Sequence, residues 1–246
     1  MTEKRLDVLV CEAMDVPREY AKEVITAGKC AVAGKIVTKP GAKFAVGVDI
    51  SIDAEKMPYV SRGGLKLAKA LEIFDICLEG RQCLDIGAST GGFTHCMLAN
   101  GAKCVIALDN GTGQLSSQLA RDCRVISIEG TDIRAVGIED LPFTPDFIAC
   151  DVSFISLEKI IPTIASLLAP GKQAVLLLKP QFECGRGELN KKGVVKNPAA
   201  RDAAINRVSR CLAAHGLIPR GVIQSPITGQ NGNIEYLIHA ESRGDA

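Results

Sequence analysis

The chain has no tryptophan, and only 4% of its 246 residues are aromatic. Stacking on nucleic-acid bases is therefore expected to be a minor term beside shape and backbone contacts. Charge of one sign is also lacking: 29 Lys and Arg against 28 Asp and Glu leave a net charge of +1. A globally basic surface is excluded, so any RNA or DNA contact must come from a local patch such as Arg18 to Lys43. No C-x-x-C pair occurs. The ten cysteines sit singly, mostly inside apolar runs, as at Cys83, Cys104 and Cys150. This argues against a zinc ribbon or a disulfide framework and for reduced thiols in a cytoplasmic setting. No apolar run approaches the ~20 residues that span a bilayer. Met1 to Val10 carries early charges and no long apolar stretch, so no signal peptide is expected. His95, His215 and His239 are widely spaced and read as surface or edge residues, and Arg243-Gly244-Asp245 reads as a frayed terminus.

What is present is core and periodicity. Hydrophobic residues make up 47% of the chain, enough for one sizeable domain and a small one. Five apolar runs each lead to a charged side chain: Cys83 to Asp85, Val105 to Asp109, Val125 to Asp132, Phe147 to Asp151 and Ala174 to Lys179. In open α/β sheets ligands bind beyond the carboxyl ends of parallel strands, so charges recurring there face one crevice. Helical stretches separate these runs, around Phe93 to Leu98, Gln114 to Leu119 and Leu157 to Leu168. Asn197-Pro198 caps a further helix to about Ala214, and Ile218 to Gln224 and Ile234 to His239 form a final hairpin-like pair. The expected fold is a doubly wound, mostly parallel α/β sheet with an antiparallel edge.

The first 58 residues form a separate unit in this reading, and 59–246 the second. Arg5 to Ala13 and Pro17 to Ala27 are helical in pattern, the second stopped by Gly28, and short β-like pieces follow to Ile52. Arg5-Leu6-Asp7, Arg18, Ala21, Ile25, Gly28, Gly34, Lys39-Pro40 and Val48-Asp49-Ile50 resemble the small α+β RNA-binding domain of the ribosomal S-four type. The resemblance implies that Arg5, Arg18, Lys22 and Lys39, with Arg62 in the following Ser61-Arg62-Gly63-Gly64, face RNA backbone.

The first strand of the larger unit runs into Asp85-Ile86-Gly87-Ala88-Ser89-Thr90-Gly91-Gly92-Phe93. The spacing is neither the dinucleotide G-x-G-x-x-G nor a P-loop, which would carry a phosphate-anchoring lysine. Asp109 ends the next strand, where a carboxylate grips ribose hydroxyls, and Asp132 lies where it could accept an adenine amino group. Together these residues resemble the S-adenosylmethionine site of Rossmann-like methyltransferases. A sulfonium ligand has no pyrophosphate, so glycines with acids suit it better than amides aimed at phosphate.

Two lysines and two acids complete the pattern: Lys66, Asp151, Lys179 and Glu235. They resemble the Lys-Asp-Lys-Glu tetrad of FtsJ-like RNA ribose 2′-O-methyltransferases. The chain from about Arg5 to Ala240 is similar to the TlyA family, whose members carry both haemolysin and rRNA methyltransferase names. The match is carried by Asp85 to Thr94, Ser61 to Leu67 and Leu178 to Glu183. It implies a Rossmann-like methyltransferase that uses S-adenosylmethionine on rRNA cytidine. A non-catalytic RNA-binding or ribosome-assembly factor is the alternative, and a haemolysin the third. A ribose hydroxyl is a poor nucleophile near neutral pH and needs a neighbour that takes its proton or stabilises the alkoxide. In this reading Lys179 does so, Lys66 and Glu235 orient the ribose, and Asp151 sits between the methyl donor and Lys179. Transfer from a sulfonium discharges the positive sulfur, so no growing anionic group calls for a metal, and none is expected. Gly185 to Gly193 reads as a mobile basic loop, and Gln230-Asn231 stands where the family has a proline and a basic residue.

Overall fold

The computed structural model describes residues 2–55 and 57–244, with the side chain of Gln230 left aside; Asp245 of the terminal tripeptide lies outside the described residues. The chain divides into two compact units, residues 1–62 and 63–246. In the first, β1 (Glu3–Arg5) leads directly into α1 (Leu6–Met14) and α2 (Arg18–Thr26), followed by β2 (Cys30–Val32), β3 (Lys35–Ile36), β4 (Lys43–Ala45) and β5 (Ile50–Ile52). β1 pairs antiparallel with β4, and β3, β2 and β5 form a separate small sheet in that order. Leu6, Val10, Ile25, Cys30 and Val32 make its core. Pro17 precedes α2 as its N-cap rather than opening it, and Arg5 belongs to the strand, so both helices start one residue later than the periodicity suggests.

The second unit begins with α3 (Gly63–Ile73) and continues β6 (Gln82–Ile86), α4 (Gly92–Ala99), β7 (Cys104–Leu108), α5 (Ser117–Ala120), β8 (Val125–Ile128) and β9 (Phe147–Cys150). It closes with α6 (Ile161–Leu167), β10 (Gln173–Leu178), α7 (Pro180–Glu183), α8 (Pro198–Ala214), β11 (Leu217–Gln224) and β12 (Tyr236–Ser242). The sheet order is β11-β12-β10-β9-β6-β7-β8. β8, β7, β6, β9 and β10 are mutually parallel, and β12 is antiparallel to both β10 and β11. β6, β7, β9 and β10 are buried along nearly all their length and are rich in Val, Ile, Leu and Ala, whereas the edge strand β8 is only half-buried.

Chain order runs outward from β6 to β8 and then returns to β9 on the other side. The switch point therefore lies between β6 and β9, where a doubly wound sheet opens a crevice at its carboxyl end. Three local readings change. The helix expected over Gln114 to Leu119 is confined to four residues, because Gly111 and Gly113 keep the preceding segment as loop. β12 starts at Tyr236, two residues after the expected Ile234, which leaves Glu235 just outside the strand. His239 is not an edge residue: β12 is an interior strand, so the imidazole is buried, 5.1 Å from the Phe74 ring, with its pKa lowered by burial.

Candidate active site

Asp85 is the penultimate residue of β6, so its side chain is enclosed and not at the strand's open end. Oδ2 accepts hydrogen bonds from the Thr94 backbone N–H (2.8 Å) and hydroxyl (2.6 Å), tying β6 to the first turn of α4. Oδ1 is buried and has no partner. Burial pushes the Asp85 carboxyl up to about 7, against the hydrogen bonds from Thr94.

The loop after β6 is shaped by protein contacts. Gly87 has φ of +84°, and a Cβ there would collide with the backbone carbonyl of Asp151 at the end of β9. The glycine lets β6 and β9 close together at the switch point, where the Asp151 N–H donates to the Ile86 carbonyl (2.9 Å). Gly91 likewise backs onto Leu115 and Leu119. Gly87 and Gly91 thus make room for neighbouring protein, and Gly87 also lines the cavity beside this loop.

A cavity of about 660 Å³ opens beside this loop, within the range of small-molecule sites. Of the residues predicted to bind a cofactor, Gly87, Ser89, Asp109, Asp132 and Asp151 line it. Asp85, Ala88, Thr90, Gly91, Gly92 and Phe93 do not; Ala88, Gly92 and Phe93 are buried behind the lining. Asp109 accepts from the N–H groups of Ser89 (2.7 Å, Oδ2) and Gly111 (2.7 Å, Oδ1), and each oxygen keeps a further lone pair for a hydroxyl. Asp132 caps a short 3₁₀ turn and is held by Arg134, which holds its carboxyl down to about 2. Its oxygens reach an adenine amino group only by sharing them with Arg134. Sequence reading passed over Glu129, the first residue after β8. Its carboxylate accepts from the N–H groups of Gly113 (2.7 Å), Gln114 (3.2 Å) and Leu115 (3.4 Å) and so shapes the loop above Asp109. An acid next to a glycine-rich loop at the adjacent strand end was the available signal.

The four predicted catalytic residues form two ion pairs. Lys179, directly after β10, has Nζ 2.6 Å from Asp151 Oδ1 and donates to Ser153 Oγ at 2.8 Å. Lys66, on α3, has Nζ 2.6 Å from Glu235 Oε2 in a buried setting. The register brings the pairs to one end of the sheet. Leu178 is paired with Tyr236, so Lys179 and Glu235 are the next residues outward on adjacent antiparallel strands. α3 packs against β12, which delivers Lys66 to the same end. Gly229 is close-packed here, since a Cβ on it would overlap the Glu235 carboxylate.

Two further residues complete the corner. Glu183, on α7, accepts from Ser156 Oγ (2.6 Å) and the Leu157 N–H (2.8 Å), fastening the segment that carries Ser153 to the helix that follows Lys179. Burial raises its pKa. Phe154 has φ of +65° and is 88% exposed, with its ring 5.2 Å from that of Phe182. An aromatic ring held in solvent on the cavity wall in a left-handed conformation is a costly arrangement. The low aromatic content of the sequence hid it.

The predicted RNA-facing residues of the first unit are mostly engaged. Arg5 and Arg18 both bind the fully buried Asp7, at 2.9 and 3.1 Å. Lys22 pairs with Glu19 (2.5 Å) and Arg62 with Glu23, whereas Lys39 is exposed. Arg5 and Arg18 thus hold the small unit together, and each keeps about half its side chain in solvent.

Residues 59–242 match the model of the FtsJ-like methyltransferase family. The chain belongs to the TlyA branch of that family. It is 38% identical over 239 residues to the 16S/23S rRNA (cytidine-2′-O)-methyltransferase TlyA of Mycobacterium tuberculosis, covering 96% of this chain and 89% of the relative. It is 42% identical to Hemolysin A of Brachyspira hyodysenteriae, covering 96% and 98%. A solved structure of a candidate hemolysin from Streptococcus thermophilus superposes with a TM-score of 0.80 at 42% identity, over 99% of this chain and 90% of that one. Solved S-adenosylmethionine-dependent methyltransferases at 14% identity share the fold. Among the described residues no helix is long and apolar enough to cross a membrane.

Proposed function

We propose that this TlyA-family chain is an S-adenosylmethionine-dependent methyltransferase that modifies the ribose 2′-hydroxyl of cytidine in rRNA, in the cytoplasm. The observation that carries the reading is the Lys179 ammonium position, fixed by Asp151 and Ser153 on the rim of the cavity. When bound, S-adenosylmethionine supplies a methyl group on a positively charged sulfur. The cavity suits it: Asp109 on its wall has free lone pairs for ribose hydroxyls.

The chain's own residues then have separable tasks. Lys179 either takes the 2′-hydroxyl proton or, as an ammonium, stabilises the developing alkoxide. Asp151 and Ser153 hold its Nζ in place, and Glu183 holds the loop that carries Ser153. Lys66 and Glu235 orient the ribose from the neighbouring strand end. Alignment of the two substrates is the main contribution to rate. The first unit is proposed as the S-four-type RNA-binding domain, with Lys39 and the solvent-facing parts of Arg5, Arg18, Lys22 and Arg62 on RNA backbone.

The test is label transfer from radiolabelled S-adenosylmethionine to ribosomal subunits and free rRNA of a strain without this protein, followed by mapping of 2′-O-methyl groups. New methylation at cytidine supports the reading. Binding of rRNA with no transfer to any of these substrates would replace it with an assembly-factor role, and dye release from liposomes would revive the haemolysin.

A further inference from the structure

A second cavity, of about 760 Å³, lies in the larger unit away from the first. Lys191, Lys192, Lys196 and Arg201 line it, and no acidic residue does among the described residues. None of the three lysines has an ion pair among the described residues. The Arg201 Nε is buried without a partner, and its Nη1 makes only a long 3.4 Å bond to the Val195 carbonyl. Four cations converge here in a chain whose net charge is +1. A convergence of cations of this kind suits an anionic ligand.

The walls are tied together by hydrogen bonds. Asn190 Oδ1 accepts from the N–H groups of Lys192 (2.8 Å) and Val194 (3.0 Å), and Leu189 bridges to Val195. From the opposite loop, Asn231 donates to the Lys192 carbonyl (3.1 Å). Asn233 accepts from the Val195 N–H (3.1 Å) and donates to the Gly193 carbonyl (3.0 Å). α8 begins at Pro198, so its positive dipole end lies on the same side as Lys196. Ile234 forms part of the wall and is covalently next to Glu235, the partner of Lys66.

We propose that this pocket holds a phosphodiester of the RNA strand next to the nucleotide being modified. The volume exceeds what a bare anion needs and suits a backbone segment with its sugar. The position one residue from Glu235 puts it on the path of a strand whose ribose sits between the two ion pairs. This inference rests on the functional reading above. Phosphate contacts fix register without reading sequence, so the pocket sets which ribose along the strand meets Lys179.

The experiment compares the full-length triple variant Lys191→Ala/Lys192→Ala/Lys196→Ala with a control of equal charge change, Lys69→Ala/Lys103→Ala/Arg121→Ala. Lys191, Lys192, Lys196, Lys103 and Arg121 are exposed, and Lys69 is half-buried with its Nζ paired to Glu72 on the same helix, so both variants should fold, checked by thermal melting and by S-adenosylhomocysteine binding. Affinity for fluorescently labelled rRNA is measured with S-adenosylhomocysteine present, from 50 to 300 mM KCl. The pocket variant should lose about tenfold or more in affinity at 100 mM KCl and reduce the slope of log K against log[salt] by about two. The control should change little. Equal losses in the two variants would overturn the proposal. If the wild type binds rRNA with this dependence but transfers no methyl group, the functional reading fails and the pocket stands. If it methylates while the two variants match, the pocket alone fails.

Discussion

Lys66 and Glu235 lie 169 positions apart in the chain and 2.6 Å apart in space, with only 11% and 3% of their side chains exposed. A pair this enclosed is costly to break from one side, because the remaining charge has no solvent to turn to. Glu235→Ala should cost about 3 to 5 kcal/mol in urea unfolding. The double variant Lys66→Met/Glu235→Leu should recover most of that stability and no methyl transfer. Recovery of activity along with stability would reduce the pair to a structural role.

Lys179→Ala should lower methyl transfer by about 10²-fold or more, the usual scale of a lost general base. Cofactor binding measured by calorimetry should stay within about twofold, since Lys179 itself does not line the cavity beside the β6 loop. Retained turnover would remove Lys179 from the chemistry.

Asp85 gives a pH signature. Its carboxyl, raised to about 7 in the folded chain, holds a proton that the unfolded chain has released above about pH 4. The folded state therefore binds more protons between about pH 4 and 7, and stability from this group falls as pH rises through that window. The full effect is at most about 4 kcal/mol. Asp85→Asn should flatten the decline in melting temperature over this range, and an unchanged profile would contradict the burial assignment.

Asp7 acts in the opposite sense. Hydrogen bonds from Arg5, foremost, and Arg18 lower its pKa, so its contribution is present above the unfolded value near 3.9 and is lost as pH falls through the folded one. Asp7→Asn should loosen α1 against α2, seen as faster amide exchange confined to residues 2–55 at neutral pH. Exchange equal to wild type would show that the two arginines are free for RNA.

Phe154 offers an exposed ring at the cavity edge, suited to stacking on an unpaired base. Phe154→Ala should raise the KM for rRNA about five- to tenfold, with Phe154→Tyr close to wild type. Equal effects of both substitutions on kcat alone would point instead to the left-handed backbone at this position.

Much of this was legible along the chain. The alternation of apolar strands and amphipathic helices announced the parallel sheet, and the acids and lysines after those strands marked its reactive end, because a buried strand must surface where the chain turns. The pairings were not legible. Lys66 belongs to an early helix and Glu235 to the loop before the last strand, and nothing local ties them; the antiparallel register of β10 with β12 does. Glu129 was passed over because strand ends are ambiguous by a few residues until hydrogen bonds define them. The sequence by itself determined which segments would be strands and which residue types could carry chemistry, since periodicity and side-chain acidity are local properties. Only the tertiary structure decided that Arg5 and Arg18 serve Asp7, that Gly87 makes room for Asp151, and that four cations share one pocket. Partners of a charge are chosen by packing across the fold, and packing depends on contacts between residues far apart in the chain.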